Sequence, residues 1–180
     1  NKSSSFKIVL RMPQLKQLIE TSIEEDCPNS DITTQCLFNN PEPTIAKLMA
    51  KEHGIFFGKQ IITEIVKHYD PHATLSFHYD DSATVAPGST ICSIESTDHC
   101  LLKLERSLLN IIQRLCGIAT KTHAYVSTLN NPNIHIFDTR KTTPLWRDLE
   151  KQAVCHGGGA NHRHSLSDMI LIKENHLSSL

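Results

Sequence analysis

The stretch from Ile134 to Ile172 constrains the fold of this chain more than any other. Ile134-His135-Ile136-Phe137 reads as a short strand. Residues 145–155 have helical spacing, and Gly157-Gly158-Gly159 stops that helix. Met169-Ile170-Leu171-Ile172 then reads as a second strand, apolar throughout. Strand, helix and strand within about 40 residues make a βαβ unit, and a crossover of that kind implies parallel strands.

The preceding part of the chain follows another pattern. Pro13 opens a helical segment, with Leu15, Leu18, Ile19 and Ile23 on one face. Cys27 to Asn40 reads as loop, and Ser30-Asp31-Ile32-Thr33-Thr34 within it is polar and turn-like. Residues 44–52 and 54–58 read as strands, 59–69 as a helix, and 73–79, 83–86 and 89–96 as strands. Turn signals stand at Asp80-Asp81 and Pro87-Gly88. A small sheet with helices on one side accounts for residues 1 to about 100. The strongest helical segment spans 99–116, and a second helix is expected over 118–130. Leu101, Leu104, Leu108, Ile111 and Leu115 form the apolar stripe of the first, while Arg106, Asn110 and Gln113 form a polar stripe. The domain boundary is placed loosely between 100 and 117, giving an N-terminal sheet-and-helix domain over 1–110 and a second domain over 111–180.

Charge and composition narrow the function classes. The net charge of -1 argues against a general nucleic-acid binder, which carries a basic excess. No apolar run approaches the roughly 20 residues that span a bilayer. The start, Asn1-Lys2-Ser3-Ser4-Ser5, lacks the apolar stretch of a signal peptide. The six cysteines show no C-x-x-C pair and read as reduced thiols of a cytoplasmic protein. The eleven histidines are mostly scattered.

Polar residues gather where both parallel strands end. The first runs into Asp138-Thr139-Arg140-Lys141-Thr142-Thr143-Pro144, the second into Lys173-Glu174-Asn175-His176. Sites in α/β folds form at the carboxyl ends of strands. Between them lies Gly157-Gly158-Gly159-Ala160-Asn161-His162-Arg163-His164, whose glycine-rich backbone can approach an anion. Arg140, Lys141, Arg163 and Lys173, with His162 nearby, form a cationic set that is costly to assemble unless an anion neutralises it. That points to a small substrate with several negative charges. The alternative is a set of solvated ion pairs with Asp138, Glu150 and Asp168. Cys155, His156, His162 and His164 fit no strong zinc spacing. The glycines match neither a P-loop nor a dinucleotide fingerprint.

Taken together, these residues resemble the quinolinate phosphoribosyltransferase family, the carboxylating nicotinate-nucleotide pyrophosphorylases. The resemblance rests on Glu105-Arg106-Ser107-Leu108-Leu109-Asn110, Gly117-Ile118-Ala119-Thr120, the segments 138–144 and 157–163, and 169–176. Asp26 and Asp31-Ile32-Thr33-Thr34 also match. It implies an α+β N-terminal domain followed by an α/β barrel. The reaction implied is a pentosyl transfer in de novo NAD biosynthesis. Quinolinate and phosphoribosyl pyrophosphate give nicotinate mononucleotide, pyrophosphate and CO2, with Mg2+ accompanying the pyrophosphate substrate. Arg140, His162, Arg163 and Lys173 would grip quinolinate, Thr139 would contact it, and Lys141 would reach the phosphoribosyl pyrophosphate. Lys141 and Lys173 are the implied catalytic lysines. Arg106 would enter the neighbouring subunit's site, which implies a homodimer or higher oligomer. No metal ligands are expected within the chain.

Some positions depart from the family pattern. Leu145-Trp146 follows Pro144 where Gly is usual, which is expected to alter the loop's backbone. Ser30, Cys116 and Glu174 replace the usual Gly, Ser and Asp, and read as tolerable. A closed barrel needs about 250 residues, and only about 70 follow the first domain. The acidic ribose and metal ligands and the glycine-rich phosphate loops of the family have no counterpart here. The 180-residue chain is therefore expected to hold only the first part of the barrel and to be inactive alone. The alternatives are a related phosphoribosyltransferase-like protein acting on another anion, such as the homologue associated with molybdenum transport, or a non-catalytic dimerising module.

Overall fold

The structure, a computed structural model, describes residues 12–179. The Asn1–Ser5 segment read above for a leader lies outside the described residues. The elements are α1 (Met12–Asp26), α2 (Ile32–Leu37), β1 (Pro43–Met49), β2 (Gly54–Ile55), α3 (Lys59–Tyr69), β3 (Thr74–Phe77), β4 (Thr84–Val85), β5 (Thr90–Thr97), α4 (Asp98–Leu129), α5 (Arg147–His156) and α6 (Glu174–Leu177).

β1, β5 and β3 form an antiparallel sheet in that order, with Thr44 opposite Ser96 and Leu75 opposite Ile94. The central strand buries Ile91, Cys92 and Ile94. β2 and β4 form a separate two-stranded ribbon. α1, α3 and α4 supply most of the core through Leu15, Ile19, Ile23, Ile61, Ile62, Ile65, Val66, Leu104, Leu108 and Ile111. No described helix is long and apolar enough to cross a membrane.

Four local expectations are corrected. The Cys27–Asn40 loop contains α2, because Asp31 caps it by accepting from the Thr34 N–H at 3.1 Å and from the Thr34 hydroxyl. The 54–58 strand stops at Ile55. Gly58 there adopts φ 145, and a Cβ on it would meet Ile112 Cδ1 at 2.4 Å, so the chain turns into α3 with its first N–H groups held by Asp81.

The two helices expected over 99–116 and 118–130 are one helix of 32 residues. A glycine inside a helix costs about 1 kcal/mol. Here the buried row Ile111, Leu115, Ala119 and Thr122 runs past Gly117 without losing its period, so packing overrides the local preference. Asn130, in the left-handed region at φ 42, ends the helix.

The fourth correction concerns the βαβ unit. Its first strand is reduced to a single parallel bridge, and that bridge joins Phe137 to Ala160, not to the run 169–172. Ala160 N–H donates to Ile136 O at 2.8 Å, and Asp138 N–H to Ala160 O at 3.1 Å. The glycine turn brings the chain back beside Phe137 immediately after α5. Gly157 permits this closeness, since a Cβ there would lie 2.3 Å from Ala119 O of α4. Met169–Ile172 forms no ladder among the described residues, and Ile170 is 90% exposed. Its apolar composition is that of a buried strand, but no neighbouring strand accepts its backbone hydrogen bonds.

Candidate active site

The parallel bridge lays the segments that follow Phe137 and Ala160 side by side, and a cavity of about 410 Å³ opens there. Asp138, Thr139, Arg140, Lys141, His162, Arg163, Leu171 and Lys173 line it. Six of the seven residues singled out in the sequence thus meet in one place. The seventh, Arg106, is exposed on α4 and does not line the cavity.

The cations of this site are not cancelled by nearby acids. Among the described residues, no carboxylate forms an ion pair with Arg140, Lys141, Arg163 or Lys173. The acidic groups that could have neutralised them are engaged elsewhere. Asp138 pairs with Lys151, and Glu150 with Arg114 at 2.6 Å. Asp168 accepts from Ser165 Oγ at 2.8 Å, from the Ser165 N–H and from the His164 N–H, bonds that hold its carboxyl below the usual range. The reading of solvated ion pairs with these three acids is therefore not what the geometry shows. Arg140 Nε is buried without a hydrogen-bond partner, and a charged donor in that state calls for an acceptor. Arg163 is only 8% exposed, and its Nη1 reaches Met169 O at 3.3 Å.

A buried network beneath the cavity ties its two walls together. Lys151 on α5, with no exposed surface, donates to Asp138 Oδ1 and to His162 O at 3.0 Å. Asp138 Oδ1 also accepts from the His162 N–H at 2.9 Å, and Asp138 Oδ2 from Asn161 Nδ2. The sequence reading missed Lys151, because a lysine beside a glutamate on an amphipathic helix carries the signature of a solvated face.

A second clamp holds the loop after Arg140. Arg114 of α4 donates from Nη2 to Thr143 Oγ1 at 2.6 Å and lies 5.8 Å above the Trp146 ring. Glu150 accepts from Arg114 Nη2 at 2.6 Å and from the Thr143 N–H at 3.2 Å. Trp146, one of the departures noted above, thus serves as the stacking surface for this arginine. Leu145 takes φ 69 with its side chain 93% exposed, so a leucine occupies a backbone conformation that glycine adopts without strain.

Cys155 and His156 point apart, as expected of helix neighbours. Cys155 Sγ donates to Asn161 Oδ1 at 3.0 Å, and the His156 ring stacks on Phe57 at 4.2 Å. Among the described residues, no three His, Cys, Asp or Glu side chains converge as a metal site. Among the described residues, Asp138 is the one carboxylate lining the cavity, and Lys151 and Asn161 already occupy it. These residues do not offer Mg2+ its oxygen ligands.

Comparison with known proteins bears on the whole chain. The profile of the quinolinate phosphoribosyl transferase N-terminal domain matches residues 31–116, and that of the C-terminal domain matches residues 118–180. A probable nicotinate-nucleotide pyrophosphorylase (carboxylating) of Bacillus subtilis is 42% identical over 92% of this chain and 57% of its own length. A quinolinate phosphoribosyltransferase (decarboxylating) of Nicotiana tabacum is 34% identical, over 92% of this chain and 47% of its own. The crystal structure of NadC from Streptococcus pyogenes superposes with a TM-score of 0.89 at 35% identity, over 94% of this chain and 61% of that one. The nicotinate-nucleotide pyrophosphorylase of Francisella tularensis also gives 0.89, at 33% identity, over 95% and 60%. The chain therefore spans about half to three fifths of these relatives' lengths. The expected fold class, an α+β sheet-and-helix domain followed by the first part of an α/β barrel, agrees with these structures. With the profiles of both domains matched in order over residues 31–116 and 118–180, the chain belongs to the quinolinate phosphoribosyltransferase family.

Proposed function

We propose that this chain forms the quinolinate-gripping part of a quinolinate phosphoribosyltransferase. The observation that carries this is the cavity whose arginines and lysines have no carboxylate partner among the described residues, with Arg140 Nε buried and without a hydrogen-bond partner there. Quinolinate has two ring carboxylates, and arginine meets a carboxylate with two parallel N–H donors. Arg140 and Arg163 would hold the carboxylates, with His162, Lys173 and Thr139 fixing the ring's position. Lys141 would face the phosphoribosyl pyrophosphate. As pyrophosphate leaves the ribose, the ring nitrogen attacks the anomeric carbon. The positive ring nitrogen then stabilises the carbanion left on the adjacent ring carbon when its carboxylate departs as CO2, and that carbon takes up a proton to give nicotinate mononucleotide. The contribution of these residues is orientation and electrostatic preorganisation, which cost nothing further at the moment of reaction.

Mg2+ would arrive on the pyrophosphate of the second substrate, since the cavity's own residues do not supply its ligands. Arg106, exposed on α4, would complete the site of a second subunit in a homodimer. The reading places the protein in the cytoplasm and predicts no turnover by the chain alone.

Titration calorimetry with quinolinate tests the proposal. Micromolar binding is expected, and Arg140→Ala should weaken it about 30- to 150-fold, the equivalent of about 2–3 kcal/mol for hydrogen bonds to a charged group. Arg106→Ala should lower binding without changing a dimeric sedimentation coefficient. A stable dimer that binds no quinolinate would instead make this a non-catalytic dimerising module.

A further inference from the structure

We infer that Lys151 is a positioning residue of the quinolinate site, acting by cancelling the charge of Asp138. The inference rests on the quinolinate reading above and assigns a task to a residue that does not line the cavity.

The geometry poses a problem that Lys151 answers. Asp138 immediately precedes Thr139-Arg140-Lys141, and its two oxygens hold the neighbouring strand end through the His162 N–H and Asn161 Nδ2. A carboxylate is well suited to that work, because it accepts several hydrogen bonds at once. The same carboxylate lines the cavity beside Arg140 and Arg163. Left ionised and alone, it would compete with quinolinate for those guanidinium groups. Lys151 lies directly against it, 0% exposed against 7% for the Asp138 side chain. The second donation of its ammonium, to His162 O at 3.0 Å, fixes it on the protein side of the carboxylate.

Stability alone does not account for such a pair. A buried ion pair can often be replaced by neutral residues of similar size with no loss of stability, because desolvation offsets the attraction. Here the pair lets a carboxylate organise both loops while the cavity keeps its net positive charge. Asn161 completes the arrangement by donating also to Lys151 O at 2.9 Å.

The test compares Lys151→Met and the double variant Lys151→Met/Asp138→Asn with the unaltered chain, by quinolinate calorimetry and thermal unfolding. The double variant keeps an amide oxygen for the His162 N–H while removing the charge of both partners together. Lys151→Met should bind quinolinate at least tenfold more weakly, and the double variant should return to within threefold of the unaltered chain. Affinity and unfolding temperature should not move in parallel across the three proteins, as a merely structural role would require. Unchanged binding in Lys151→Met overturns the inference, and so does a folded double variant as weak as the single one. Where Lys151→Met does not fold, the double variant decides alone, within threefold for the inference and tenfold weaker against it. Absence of binding by the unaltered chain, measured first, removes the quinolinate reading itself together with this inference.

Discussion

Leu145 offers a direct measure of how much backbone strain the strand-end loop carries. It sits at φ 69 with 93% of its surface exposed. The left-handed region costs a residue with a Cβ about 1–2 kcal/mol, and this side chain recovers little of that by packing. Replacing it with glycine removes the strain. The same change gives the unfolded chain more conformations to lose, which costs about 0.4–1 kcal/mol. Leu145→Gly should therefore stabilise the protein by about 0.5–1 kcal/mol, raising the unfolding temperature by about 1–4 °C for a chain of this size. Leu145→Val should do the reverse, since a branched Cβ is more crowded still at positive φ. Urea denaturation followed by far-UV circular dichroism, with the thermal midpoint as a second reading, measures both. If Leu145→Gly lowers stability while Leu145→Val leaves it unchanged, the left-handed conformation is not what the folded loop uses, and the strain argument fails.

Two further outcomes follow from the surroundings of the site. Glu150→Ala leaves the Thr143 N–H and the Arg114 guanidinium without their shared acceptor, and should cost about 2 kcal/mol in urea denaturation. Burial against Phe57 lowers the proton affinity of His156 below its ordinary value of 6.5. The unfolded chain then binds a proton that the native chain resists, so stability is full above about pH 6.5 and falls as pH drops below it. His156→Gln should flatten the stability profile between about pH 7 and 5, and an unchanged slope would show that another group sets it.

Elements whose own residues decide them were legible in the sequence. The 59–69 helix appears with those bounds, because Ile61, Ile62, Ile65 and Val66 mark its buried face. The three-stranded sheet follows the strand pattern, with its bounds shifted by one to three residues. Legibility failed where a distant partner decides. Nothing near Gly117 announces that α4 continues, because the reason is the buried row it packs against other elements. The run Met169–Ile172 has the composition of a strand, yet strand geometry needs a neighbour's backbone as well as apolar side chains.

The site divides in the same way. Arg140, Lys141, His162, Arg163 and Lys173 could be singled out because clustered cations at strand ends already imply an anion, and the family resemblance rests on the same segments. Their residue types and order are local facts. Whether those charges are neutralised, and what keeps their loops apart, depends on which side chains approach in space. Only the tertiary structure pairs Asp138 with Lys151 on α5 and Glu150 with Arg114 on α4, so that among the described residues no carboxylate forms an ion pair with the cavity's arginines and lysines. Those pairings join residues 13 and 36 positions apart, and attraction between charges depends on their distance in space and on burial, neither of which periodicity encodes.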